Sequence, residues 1–208
     1  TVKDVCLQIK NVKDLGTQIG IVVGGGNIFR GMKAEKQGME RATADYMGMI
    51  ATLLNALTLQ EALEKIGVPV YIQSAINIEK VAAPYDRREA IKNLVEGKVV
   101  IFACGTGNPY FTTDTAAALR AVEIGAEALL KATKVDGVYD CDPVTHKNAS
   151  LFQEITYMDV INKKLGVMDL TAVTLCMENS LPIIVFNLRG KDNMKKAIQG
   201  KRVGTMVR

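Results

Sequence analysis

Apolar residues along the chain fall into short blocks separated by longer stretches with helical spacing. The blocks 19–23, 68–72, 99–103, 128–130 and 183–186 are too short for buried helices, and such runs read as strands covered on both faces. The stretch 2–15 runs up to Gly16 and 46–66 up to Gly67, glycines suited to end a helix. The stretches 87–95, 115–124 and 168–178 are also helical in character, the last leading toward Pro182. This alternation predicts an α/β fold with a mostly parallel sheet between helices. The most polar stretch, 138–149, is expected to be a surface loop. No repeat or linker interrupts the pattern, so the 208 residues read as one domain. A chain of that length buries a core without disulfides or metals.

Composition narrows the class. With 48% hydrophobic and 23% charged residues, disordered, collagen-like and disulfide-framework proteins are excluded. The net charge of +4 comes from scattered basic residues and aromatics are only 5%, which speaks against a nucleic-acid partner. Cys6, Cys104, Cys141 and Cys176 are far apart, and His146 is the single histidine. That pattern fits a reducing cytoplasm and gives no support to a zinc centre or a histidine-based hydrolase. No run approaches the length needed to cross a bilayer, and no signal peptide is evident. The expected location is cytoplasmic, without a membrane partner.

Ligands of open α/β sheets gather at the carboxyl ends of strands, and three motifs begin there. In 22–31 a strand runs into Gly24-Gly25-Gly26, followed by Asn27 and Arg30. Glycines can adopt positive φ and present N–H groups to an anion, and an arginine can clamp phosphate oxygens. The spacing is neither a P-loop nor a dinucleotide fingerprint. In 105–114, Thr106, Gly107, Asn108, Pro109, Tyr110, Phe111, Thr112 and Thr113 precede Asp114 at a helix start. Thr112 or Thr113 suits an N-cap, and a flat base has Tyr110 or Phe111 to rest on. Asp114 reads either as a dipole partner or as an acid holding a lysine or a magnesium-bound water. In 131–143, Thr133, Tyr139 and Asp142 surround an Asp-Gly turn, and turn chemistry explains them as well as purine and ribose contacts do. Asp45 and Asp169 open helices and carry the same ambiguity. Met47, Met49, Met168 and Met177 read as core filler, and His146 beside Lys147 as a surface residue. Glycine turns, one arginine and several acids suit phosphoryl transfer, where positioning and charge stabilisation dominate. They leave the acceptor open.

The blocks Gly-Gly-Gly-Asn-Ile-Phe-Arg-Gly, Ala-Asp-Tyr-Met-Gly-Met, Gly-Thr-Gly-Asn-Pro-Tyr-Phe-Thr-Thr-Asp, Lys-Ala-Thr-Lys-Val-Asp-Gly-Val-Tyr and Val-Met-Asp-Leu occur in this order. In them the chain resembles bacterial uridylate (UMP) kinases of the amino acid kinase superfamily over essentially its whole length. The resemblance implies a three-layer α/β/α sandwich with a mainly parallel central sheet. It also implies transfer of the ATP γ-phosphoryl group to UMP to give UDP, with magnesium. Gly25, Asp45 and the run from Thr106 to Thr113 would hold UMP, with Asp45 on the ribose. Gly26, Arg30, Thr133, Tyr139 and Asp142 would hold ATP, with Arg30 also near the transferring phosphate. Asp114 and Asp169 match acids that organise a catalytic lysine and magnesium; no residue is assigned as a direct metal ligand. A homohexamer built from dimers and regulation by GTP and UTP are further implications.

Family members begin with a strand and a Lys-Leu-Ser-Gly-Glu-type turn. Residues 1–208 read as a single amino acid kinase domain apparently lacking that segment, and no other lysine stands in that motif. The expectation is that 1–208 alone is inactive. Two other readings accompany it: a sister kinase acting on a carboxylate or carbamate, and a non-catalytic nucleotide sensor on the same scaffold.

Overall fold

A computed structural model describes residues 2–31, 38–146, 148–190 and 192–208; Thr1 and Lys147 of the sequence reading lie outside them. In chain order the elements are α1 (Val2–Lys13), β1 (Gly20–Val22), α2 (Arg41–Glu64), β2 (Val70–Ser74), β3 (Ala83–Pro84), α3 (Arg87–Val95), β4 (Val99–Ala103) and α4 (Thr113–Ile124). There follow β5 (Leu129–Thr133), β6 (Glu154–Ile155), α5 (Tyr157–Asn162), α6 (Leu170–Glu178), β7 (Ile183–Asn187), α7 (Asn193–Ile198) and β8 (Thr205–Val207).

The strands form two four-stranded sheets, ordered β1-β4-β2-β3 and β5-β7-β8-β6. In the first every pairing is parallel, with Ile101 of β4 between Ile21 and Ile72. In the second, β5 pairs parallel with β7 and β6 with β8, while β7 and β8 run antiparallel. β-strand side chains alternate between faces, and both central strands are apolar on each. Val99, Ile101 and Ala103 face a core shared with Ile9 of α1 and Leu53, Ala56 and Leu63 of α2. Val100 and Phe102 face Ala90 and Leu94 of α3. In β7, Ile183 and Val185 pack on Ala118 of α4, Val160 of α5 and Val173 and Cys176 of α6, whereas Ile184 and Phe186 meet Ala197 of α7. Helices thus cover both faces of a mainly parallel α/β arrangement, as expected. The sheet is divided rather than one continuous surface.

Several boundaries differ from expectation for local reasons. α2 starts five residues before the anticipated Tyr46: Arg41-Ala-Thr-Ala is compatible with helix and Arg41 pairs with Asp45 one turn on. Its Ncap, Glu40, makes no side-chain capping bond, so sequence carried no start signal there. β5 extends to Thr133, because Lys131 and Thr133 alternate with residues on the other face rather than continuing an apolar run. The elements β3, β6, β8, α5 and α7 are two to six residues long, below the length at which periodicity speaks. The described residues of the 138–149 stretch are turn and loop, joined to the body by a bridge between Tyr139 and Leu151.

Candidate active site

The glycine turn after β1 is fixed against α2. A Cβ on Gly25 would stand 2.7 Å from the carbonyl oxygen of Gly48 and 2.9 Å from Cβ of Ala51, so only glycine permits this approach. Asn55 locks the turn from α2, donating from Nδ2 to the Gly24 carbonyl at 2.7 Å and to Oδ1 of Asn27 at 2.7 Å. Positive φ is absent at Gly24, Gly25 and Gly26. This corrects the expected reason for the triplet: close helix packing at Gly25, not left-handed backbone, demands the missing side chain. Gly26 faces open space, and Arg30 folds back to donate from Nε to its carbonyl at 3.0 Å.

Left-handed backbone belongs instead to the second motif, at Cys104 (φ 62°), Gly105 (59°), Gly107 (80°) and Tyr110 (73°). At Gly107 a Cβ would also meet the Ala75 carbonyl at 2.8 Å. The loop is tied to α2 through Asp45, whose Oδ2 accepts the Tyr110 amide at 2.8 Å and Nε of Arg41 at 2.9 Å. Thr106 and Asn108 bond each other across the turn. Tyr110 and Phe111 are 67% and 51% exposed, and the Arg41 guanidinium stands over the Tyr110 ring, 5.6 Å from its centroid.

Thr112 is the Ncap of α4, its Oγ1 accepting the amides of Asp114 and Thr115. The same hydroxyl donates to Asp169, as does Thr115 at 3.0 Å. Asp169 in turn caps α6 through the Ala172 amide at 3.0 Å. One carboxylate therefore fastens two helix starts together, a stronger tie than the dipole partner anticipated from sequence. Asp114 points to β5, where it forms an ion pair with Lys131. Thr113 stands beside the glycine turn, its Oγ1 3.6 Å from the position a Cβ on Gly24 would take.

Beyond β5 lies a cavity of about 430 Å³, walled by Thr133, Val138, Tyr139 and Asp142 on one side and Lys163 and Gly166 on the other. All three residues expected there from the third motif line it. Thr133 donates to the Val135 carbonyl at 2.6 Å, and Asp142 accepts the Val144 amide at 2.9 Å, so each also shapes its own turn. A second cavity of about 370 Å³ opens beside Thr106, between Asn77, Tyr85 and Arg120. Arg120 is buried, 2.6 Å from Oε2 of Glu123 and 3.5 Å above the Tyr85 ring. The Tyr85 hydroxyl donates to that same carboxylate at 2.5 Å. Burial, reinforced by this bond, pushes the Tyr85 phenol up to about 12.

Sequence reasoning overlooked Asn55, Thr115, Lys131, Lys163 and the Tyr85–Arg120–Glu123 group. The i,i+3 spacing of Arg120 and Glu123 was a usable signal for the last; Lys131 had none, because its partner lies in another element. Among the described residues no group of three or more His, Cys, Asp or Glu side chains is placed to hold a metal ion.

A helix-covered, mainly parallel α/β arrangement with glycine turn, threonine-rich loop and nucleotide-sized cavity at its strand ends has the build of a phosphoryl-transfer protein. The sequence model of the Amino acid kinase family matches residues 1–187, and the chain belongs to that family. It is similar to the crystal structure of UMP kinase from Bacillus anthracis, at 37% identity and a TM-score of 0.96, covering 99% of this chain and 85% of that one. UMP kinase from Ureaplasma parvum superposes at 38% identity and 0.93, over 99% and 88%. Uridylate kinase from Archaeoglobus fulgidus does so at 30% and 0.78, over 100% and 92%. The sister-kinase and sensor readings are not favoured by these likenesses.

Proposed function

We propose that this chain is a UMP kinase. An oxygen of the UMP phosphate attacks the γ-phosphorus of ATP, the bond from that phosphorus to the β-bridging oxygen breaks, and UDP and ADP form. The observation that carries the reading is the position of the first turn of α4. It continues directly from the 105–114 loop, touches the glycine turn through Thr113, and reaches through Asp114 to the strand that ends at the 430 Å³ cavity.

On the acceptor side, Gly25, Asp45 and the residues Thr106, Gly107, Asn108, Pro109, Tyr110, Phe111, Thr112 and Thr113 hold UMP, with the exposed rings beside the base. On the donor side, Gly26, Thr133, Tyr139 and Asp142 hold ATP, and Arg30 reaches the phosphates from the glycine turn. Arg30, Asp114 and Asp169 order the transferring group. Magnesium would come with the ATP phosphates, keeping water in most of its coordination positions, and Asp114 and Asp169 would organise its surroundings without ligating it directly. It would supply charge neutralisation at the phosphates. A homohexamer responsive to GTP and UTP belongs to the same proposal. So does a cytoplasmic location, supported by four free thiols.

The test is ADP release from Mg-ATP by the full-length protein with UMP, CMP, acetylglutamate or aspartate. UMP-dependent turnover is expected. Silence with UMP alongside turnover of a carboxylate acceptor would replace the reading with the sister kinase.

A further inference from the structure

We infer that Lys131 is a positioning residue for phosphoryl transfer, acting through Asp114; the inference rests on the kinase reading above. Lys131 lies at the centre of β5, between Leu129 and Thr133 on one face of the strand. Leu129 packs into the core with Ala118 and Ala121 of α4, and Thr133 lines the 430 Å³ cavity. The ammonium therefore stands at the step between core and cavity, where it pairs with Asp114 in the first turn of α4.

The helix end alone does not account for the lysine. A helix N-terminus attracts anions and repels cations, so Asp114 alone would suit α4 better than Asp114 with a cation beside it. The two side chains are only 28% and 23% exposed, so each charge would be costly to leave without its partner. Transfer gives the lysine a purpose. The turn that carries Asp114 is clamped on its other side, because Thr112 and Thr115 bind Asp169 at the start of α6. Asp114 thus keeps one free direction, toward β5, and Lys131 closes it. Pairing with the ammonium fixes the direction of the Asp114 carboxylate, so the group keeps one orientation beside the reacting phosphates.

The experiment compares Lys131→Met, Lys131→Arg, Asp114→Asn and the Lys131→Met/Asp114→Asn double variant in the full-length protein by steady-state kinetics with UMP and Mg-ATP. Lys131→Gln, which retains a polar stem, substitutes if the methionine variant does not fold. The expected result is at least a tenfold loss of kcat in Lys131→Met with KM for both nucleotides within about threefold. Lys131→Arg should recover most of the loss, and the double variant should be no slower than Asp114→Asn by more than about twofold, as for residues acting as one unit. The inference is overturned if Lys131→Met keeps kcat within threefold, if the loss appears in KM instead, if arginine fails to rescue, or if the two losses multiply. Absence of UMP turnover in the unsubstituted protein would strike the kinase reading itself, a separate outcome.

Discussion

Gly25 shows how the structural reason for a residue can differ from the one its sequence context suggests. A glycine turn after a strand suggested anion binding through flexible backbone, but the constraint at Gly25 is the 2.7 Å approach to the Gly48 carbonyl. Replacement by alanine must push the turn off α2, since neither neighbour is the end of a flexible side chain. We expect Gly25→Ala to lower kcat/KM for UMP by about 10²-fold, the order associated with displacing a site by about 1 Å; a loss under threefold would contradict the packing argument. The cysteines respond to their surroundings in a second checkable way. Cys6, Cys104 and Cys176 are buried, and burial raises each thiol, that of Cys176 to about 11. Cys141 is exposed, yet local desolvation and the carboxylates of Asp140 and Asp142 raise it as well. A raised thiol holds less reactive thiolate at a given pH. A thiol reagent at pH 7 should therefore modify one cysteine per native chain, more slowly than free cysteine, with the rate climbing as pH increases; rapid loss of two or more thiols would refute this.

Elements with a strong pattern were legible and short ones were not. β4 and α3 occur at the boundaries their apolar spacing indicates, whereas β8 is three residues whose role is set by partners elsewhere. Its Thr205 is fully buried and works in both directions, donating to the Phe152 carbonyl and accepting the Val138 amide at 2.8 Å. Val138 walls the 430 Å³ cavity, so an unremarkable C-terminal threonine supports the proposed donor site. Thr205→Val leaves a buried amide unsatisfied, which costs about 1–3 kcal/mol. Denaturant unfolding should register that loss, and KM for ATP should rise more than KM for UMP. An equal rise in both would mean that the strand braces the whole molecule rather than one cavity. The acids tell a similar story: Asp114 and Asp169 were visible at helix starts, whereas Asp45, expected to open a helix, lies in the second turn of α2; Asp45 binding Tyr110 and Asp169 binding Thr115 join residues separated by 65 and 54 positions, which no local pattern discloses.

At the scale of the whole molecule, the layered α/β plan followed from strand–helix alternation, but the order of the strands did not, because spacing along a chain says nothing about which strands pair. Asp169 provides a tie between parts contributed by distant stretches: it spans the starts of α4 and α6. Those two helix starts should behave as one unit in solution. Nucleotide binding is expected to slow amide hydrogen exchange at Thr115 and Ala172 together, and Asp169→Ala should uncouple the two responses. Independent responses in the unsubstituted protein would show that the shared carboxylate does not link them.

Tyr110 holds a left-handed backbone conformation, φ 73°, with its amide on Asp45. Non-glycine residues adopt that region at a cost of about 1–2 kcal/mol. With the ring beside the base as proposed, two opposed selections would act at this position. A library screened only for resistance to heat should drift toward glycine or asparagine, which accept the conformation readily, whereas one screened for growth that depends on the enzyme's activity should retain an aromatic ring. The ratio of the two populations would record how much foldability the site has exchanged for its ring.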